Sequence, residues 1–218
     1  MDNNVAQSVK AAILWLDMWD FKTLDYFLRV LLAWVNDLYN GSTSEAEFVD
    51  RLAELIDQQL TRAWNEGMRA NGLDPIQDMT EEYQQQLQDI IASEYSYVDQ
   101  FARDIAAHSG TLPQFQSRAQ LWANRYNDVV NQSKLATADG KDRYEWVYGD
   151  TDHCETCASL NGLVATAKEW DISGFKPQSA PNDMLTCGGW KCQCRLEPTD
   201  KRRSPKVLDT LLNLGVRL

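Results

Sequence analysis

All five cysteines of this 218-residue chain lie between Cys154 and Cys194, in two short clusters. The first is Cys154-x-x-Cys157. The second, about thirty residues on, is Cys187-x4-Cys192-x-Cys194, and Asn161-Gly162 and Gly188-Gly189 mark turns beside them. Soft thiolates borne on two loops suit a tetrahedral zinc ion. A metal that ties two loops together can replace the hydrophobic core that so short a segment cannot supply. The candidate ligands of this structural zinc are Cys154, Cys157, Cys187, Cys192 and Cys194. On a strand, Cys192 and Cys194 would share a face and both reach one metal. Cys187, in Cys-Gly-Gly, has a flexible turn suited to a C-x4-C chelate. The preferred set is Cys154, Cys157, Cys187 and Cys192, with Cys194 the main rival for the fourth place.

Three other readings weigh less. Disulfides belong to oxidising compartments, yet five is odd and no signal-peptide pattern opens the chain. Unrelated buried thiols would not cluster twice. A catalytic zinc finds some support in His153-Cys154-Glu155, an H-x-E that loosely resembles the nucleobase deaminase signature. Against it, Thr186 rather than proline precedes Cys187, the gap between clusters is long, and Cys154 and Cys157 would have no role. A sphere filled by thiolates also leaves no place for water. His153 itself is a possible alternate ligand.

The rest of the chain reads as mainly helical. Apolar residues recur at helical spacing over 5–39, including Leu24, Phe27, Leu28, Leu31, Leu32, Val35 and Leu38. Arg29 interrupts this run, which falls short of a membrane span. Ser44-x-x-Glu47 is a capping box opening a helix through Phe48, Leu52, Ile56, Leu60 and Trp64, closed by Asn71-Gly72. Thr80 caps the next helix, whose stripe runs through Leu87, Ile91, Tyr95, Val98, Phe101 and Ile105. Leu112-Pro113 starts another, from about 114 to 136. His108, near a helix end, reads as a capping residue rather than a ligand. After Ala138-Asp139-Gly140-Lys141, Tyr144–Tyr148 reads as a strand, Cys157–Leu160 as one helical turn, and Leu163–Ala165 as a segment pairing back. Lys191–Leu196 is expected to be a further strand carrying the late cysteines. The organisation is therefore a helical region over 1–137, a small α+β zinc module over 138–200, and a basic linker with a short helix over 201–218.

Charge limits the partners. The formal net charge is −11, and residues 1–149 carry 23 acidic against 12 basic side chains, whereas 150–218 carry nine of each. An acidic surface repels phosphate, so the helical region is a poor DNA-binding surface. Lys201, Arg202, Arg203 and Lys206 could make weak nucleic-acid contacts, although a solvated linker is the simpler reading of so short a run.

The cysteine segment resembles the C-terminal module of tailed-bacteriophage minor head proteins, the Mu F-like head morphogenesis family. That pattern is an aromatic strand, an aspartate just before C-x-x-C, then L-x-G, a proline-containing loop and a late cysteine pair with arginine. Here its elements are Trp146, Asp150 to Cys157, Leu160 to Gly162, Pro177 and Pro181, and Cys192-Gln193-Cys194-Arg195. The family commonly has His-Pro where this chain has Cys187-Gly188-Gly189-Trp190, so Cys187 would stand in for that histidine. The resemblance spans roughly 115–200. It implies a virion protein made in the host cytoplasm, multi-copy and non-enzymatic. Such a protein acts in head morphogenesis and DNA packaging or delivery, with portal and capsid proteins as partners and no membrane. The alternative is a zinc-dependent enzyme acting on nucleic acid or nucleobase.

Overall fold

The computed structural model describes residues 24–215 except 151, 191 and 206. The helical stripe expected before residue 24 lies outside these residues, as do Lys191 and Lys206. Among the described residues four helices come first: α1 (Leu24–Tyr39), α2 (Glu45–Ala70), α3 (Glu81–Ala106) and α4 (Leu112–Thr137). The helices α2 and α3 start where short polar side chains take up unpaired N–H groups. The Ser44 hydroxyl accepts from the Glu47 N–H at 3.2 Å, and the Thr80 hydroxyl from that of Tyr83 at 3.2 Å. The helix α3 ends with His108 in the left-handed region at φ 50°, its ring edge-on to Tyr39 at 4.4 Å.

The apolar stripes of the four helices meet in one core around Phe27, Leu31, Phe48, Trp64, Phe101 and Phe115. The helices α2 and α4 pack closely because Gly67 lies against Ser133, where a Cβ would meet the Ser133 side chain at 2.5 Å. Tyr95, expected on the buried stripe of α3, is exposed and points its hydroxyl at the Ala53 carbonyl, 3.3 Å away. Its phenol can satisfy that bond only at the rim.

A second, smaller core follows. The strand β1 (Arg143–Val147) is the centre of an antiparallel sheet ordered β2-β1-β3, with β2 over Val164–Thr166 and β3 over Arg195–Pro198. Between β1 and β2 lies α5 (Glu155–Leu160), and α6 (Ala167–Ser173) follows β2. The sequence reading missed α6, although Thr166-x-x-Glu169 is a capping box with both bonds made. A further correction concerns the late cysteines. The strand begins at Arg195, so Cys192 and Cys194 sit in the irregular segment leading into it. Pro198, expected to end that strand, is its last residue.

Tyr144, Trp146, Trp170, Phe175, Leu185 and Leu196 fill this core, with Trp146 and Trp170 at 5.7 Å between ring centroids. The short α7 (Val207–Asn213), whose residues the sequence sets apart as a tail, packs into it through Val207 and Leu211.

Polar contacts join the two cores. Asn71, at the end of α2, donates to the Lys134 carbonyl at 2.8 Å and to the Thr137 hydroxyl at 2.9 Å, and its side-chain oxygen accepts from the Tyr144 hydroxyl. Lys134 Nζ donates to the Leu196 carbonyl at 3.0 Å. Buried Asn131 accepts from the Leu196 N–H at 3.3 Å. Burial pushes the Lys134 ammonium below its usual value. No helix among the described residues is long and apolar enough to cross a membrane.

Candidate metal centre

The α+β module brings all five cysteines together. Cys154 is the N-cap of α5, and its sulfur accepts the Cys157 N–H at 3.4 Å. This single turn gives the C-x-x-C pair its geometry: Cys154 stands outside the helix and Cys157, one turn on, points into the core at 2 % exposure. Cys187 arrives by a separate device. The Thr156 and Thr186 hydroxyls are 2.7 Å apart, and the Thr186 N–H donates to Thr156 at 3.1 Å, which places the next residue beside the early pair. The long loop carrying Cys187 is braced by Asn182. Its amide donates to the Gly174 carbonyl at 3.2 Å, and its backbone N–H donates to the Gly188 carbonyl at 3.0 Å.

Two glycines let the late cysteines approach. A Cβ on Gly149 would run into the Gln193 backbone, and one on Gly189, at φ 82°, into the Ser179 carbonyl. Any side chain at either place would push the Cys192–Cys194 segment away. On its other side, Gln178 Nε2 donates to the Cys194 carbonyl at 2.9 Å.

The resulting sulfurs form two groups of three. Cys154, Cys157 and Cys187 lie within 4.8 Å of one another, and so do Cys157, Cys192 and Cys194. Cys157 belongs to both, with its sulfur 3.9 Å from that of Cys192. His153 Nδ1 is 3.9 Å from the Cys194 sulfur, and its ring stacks on Tyr148 at 3.6 Å.

The thiols perturb one another strongly. Hydrogen bonds to Cys192 and then Cys194, with burial added, hold the proton on Cys157 and push it far above the usual thiol range. The same bonds, from Cys157 first and Cys192 second, hold Cys194 well below that range. The Trp146 indole N–H, buried with no other hydrogen-bond partner, also favours the Cys194 thiolate. Burial raises Cys187, and it opposes but does not overcome the hydrogen bonds from Cys157 and Cys187 that lower Cys154. Sulfurs so crowded, with N–H groups that favour the thiolate form, could hold a metal ion.

The other singled-out residues lie apart from the sulfurs. Lys201 pairs with Glu145 at 2.6 Å and Arg203 with Glu169 at 2.5 Å, so these cations of the basic run are folded back on the module. Arg202 is exposed. The Thr156–Thr186 clasp and the Gly149 contact were missed by sequence reasoning. The only signal for the clasp is a threonine one residue before Cys157 and another one before Cys187. Comparison of the chain with protein-family models, with curated proteins and with solved structures finds no match.

Proposed function

We propose that the chain is a structural minor head protein of a tailed phage, acting in head morphogenesis at or near the portal, with its module held by one structural zinc. The observation that carries the metal part is the 3.9 Å separation of the Cys157 and Cys192 sulfurs. Zinc–sulfur bonds of about 2.3 Å at tetrahedral angles set neighbouring sulfurs about 3.8 Å apart. Cys154, Cys157 and Cys187 supply three ligands, and Cys192 is favoured over Cys194 for the fourth. When bound, the zinc cross-links loops. The chain's own contribution is to place the sulfurs, through the Cys154 N-cap, the threonine clasp and the close approach at Gly149.

The family part rests on the order of features: β1 with Trp146, the α5 cysteine pair, the Asn161-Gly162 turn, the proline loop, and the late cysteines entering β3. That order supports the resemblance to Mu F-like minor head proteins. Portal and capsid proteins are the partners it implies. His153, close to Cys194, favours the alternative of a zinc-dependent enzyme acting on nucleic acid or nucleobase.

Two experiments test this. Elemental analysis of protein purified without added metal should give about one zinc per chain, and an anomalous signal at the zinc edge should show four sulfur ligands and no water. A water-bearing site open to a cleft would favour the enzyme. Neighbouring genes should encode portal, terminase and capsid proteins, and co-expression with that portal protein should yield a complex. Failure to bind it would overturn the assembly reading.

A further inference from the structure

Where the helical region meets the module, a groove of about 1260 Å³ opens beside α4. Its floor is a row of half-buried amides, Gln116, Gln120, Asn124 and Asn127, spaced so that they share one helix face. Over these eleven residue steps the row is about 17 Å long. Each amide carries two donors and two lone pairs. Gln120 donates to Asn124 at 3.1 Å, which uses only a small part of that capacity.

The facing wall comes from the loops that carry the metal ligands. Trp190 stands there 44 % exposed, with exposed Gln193 nearby. An exposed tryptophan two residues from a candidate metal ligand is a large apolar face that the fold presents to solvent at a fixed place. The sulfur cluster lies behind it, with Cys192 on the groove wall.

Charge narrows the occupant. Glu66, Asp150 and Asp152 line the groove, against Lys134 and Arg195. Lys134 is already committed to the Leu196 carbonyl, and Arg195 to Glu197 at 2.6 Å and to the Tyr148 carbonyl at 3.2 Å. A polyanion would meet three carboxylates and no uncommitted cation among these lining residues, the opposite of a single-strand nucleic-acid channel. The amides and carboxylates, set among Leu32, Pro113, Leu121 and Val130 and beside one aromatic platform, match a ligand that has both hydroxyl groups and apolar ring faces. Each hydroxyl both donates and accepts, and an apolar ring face covers the indole.

We propose that this groove binds a neutral oligosaccharide, with sugar rings laid along the α4 amides and one ring stacked on Trp190. The site uses the module as a wall, and it does not depend on whether the chain assembles into a phage head. The proposed role is binding alone.

The test uses the full-length, metal-loaded chain titrated calorimetrically with cellohexaose, maltohexaose and chitohexaose, with saturation-transfer NMR to map the bound face. At least one hexamer should bind, and Trp190→Ala should weaken it roughly tenfold or more. Asn124→Ala, on a helix that alanine favours and remote from the sulfurs, should weaken it several-fold. Metal content and protease resistance should stay at the wild-type level in both variants. Tyr97→Ala, outside the groove, should leave binding unchanged. The proposal is overturned if no hexamer binds at millimolar concentration, or if both groove variants bind as the wild type does. It also fails if oligo-dT or an extended peptide binds the groove in place of all three sugars.

Discussion

The helical region and the cysteine module meet the same demand by different means. The helical region covers itself with long amphipathic elements: α2, α3 and α4 are each 26 residues, and aromatic rings link them, Phe101 lying 4.8 Å from Trp122 and 6.0 Å from Phe48. The module has strands of three to five residues and helices of six or seven. Its core is two tryptophans and a few large side chains, and the loop between α6 and β3 contributes mainly through Phe175, Leu185 and sulfurs. Apolar area scales with element length, so burial weighs more in the first region, while the second has in addition five sulfurs that could hold a metal ion. A chain can thus combine two sources of stability, and each should respond to a different perturbation.

The sharpest way to break the comparison is to remove the proposed metal. Structural zinc contributes about 10–16 kcal/mol of apparent binding free energy in small domains. Cys157→Ser, which strikes the sulfur common to both groups, or a strong chelator, should therefore make residues 144–199 protease-sensitive. The far-ultraviolet helical signal should largely persist. Loss of that whole signal would show that the two regions are one cooperative unit.

The converse is a cut in the helical core. Trp64 is 1 % exposed and its carbonyl accepts from the Ser133 hydroxyl of α4, and Trp64→Ala should cost about 3–5 kcal/mol. Chemical denaturation should show the loss, while metal stoichiometry measured below the transition stays unchanged.

How much of this difference was legible beforehand follows the same division. Helical periodicity and caps are local, so α2, α3 and α4 can be read within a residue or two from Ser44, Thr80 and Leu112-Pro113. The cysteine clusters, too, are visible in the sequence, and the fold brings them together where they could hold a metal ion. The strand expected over 191–196 was misplaced because period-2 spacing puts Cys192 and Cys194 on one strand face, whereas Gly149 and Gln178 shape that segment through contacts distant in sequence. The helix α6 is only seven residues long, too short to carry a periodic stripe, so its main sequence signal is the Thr166–Glu169 box. Tyr95 shows the limit of a stripe: spacing places a residue on a face, and only packing decides whether that position is core or rim.

A smaller effect sharpens the join between the regions. Asn71→Ala removes donors to the Lys134 carbonyl and Thr137 and leaves the buried Tyr144 hydroxyl without that acceptor, a change worth about 1–3 kcal/mol. Calorimetry should show the two regions melting further apart than in the wild type. Unchanged coupling would place the join in the Lys134 and Asn131 contacts instead.

Within the module, Cys194→Ser should be milder than Cys192→Ser in zinc retention under competition by a chelator. Equal damage would mean that both ligate. The smallest effect concerns pH. The Arg203 guanidinium beside Glu169 holds that carboxyl below its usual range, with Thr166 N–H helping against burial. A lowered folded-state value contributes stability that is present above the unfolded carboxylate range and is lost as pH falls through the folded value. The pair is partly exposed, so Glu169→Gln should cost about 1 kcal/mol or less, and the variant should lose less stability than the wild type on acidification.

The position of Cys157 also bears on how the module comes to be folded. Cys154 and Cys157 need only one turn of α5 to face the same point, which a short chain reaches quickly. A metal captured there waits for a segment some thirty residues on, and closing a loop of that length costs entropy that grows only slowly with length. The metal would act as a nucleus, so the rate of module formation should follow metal concentration until loop closure becomes the slower step. Because Cys157 touches both groups of sulfurs, the first captured ligand need not be released when the late cysteines arrive. Ligands can be added one after another, with no unbound intermediate between the first contact and the finished site.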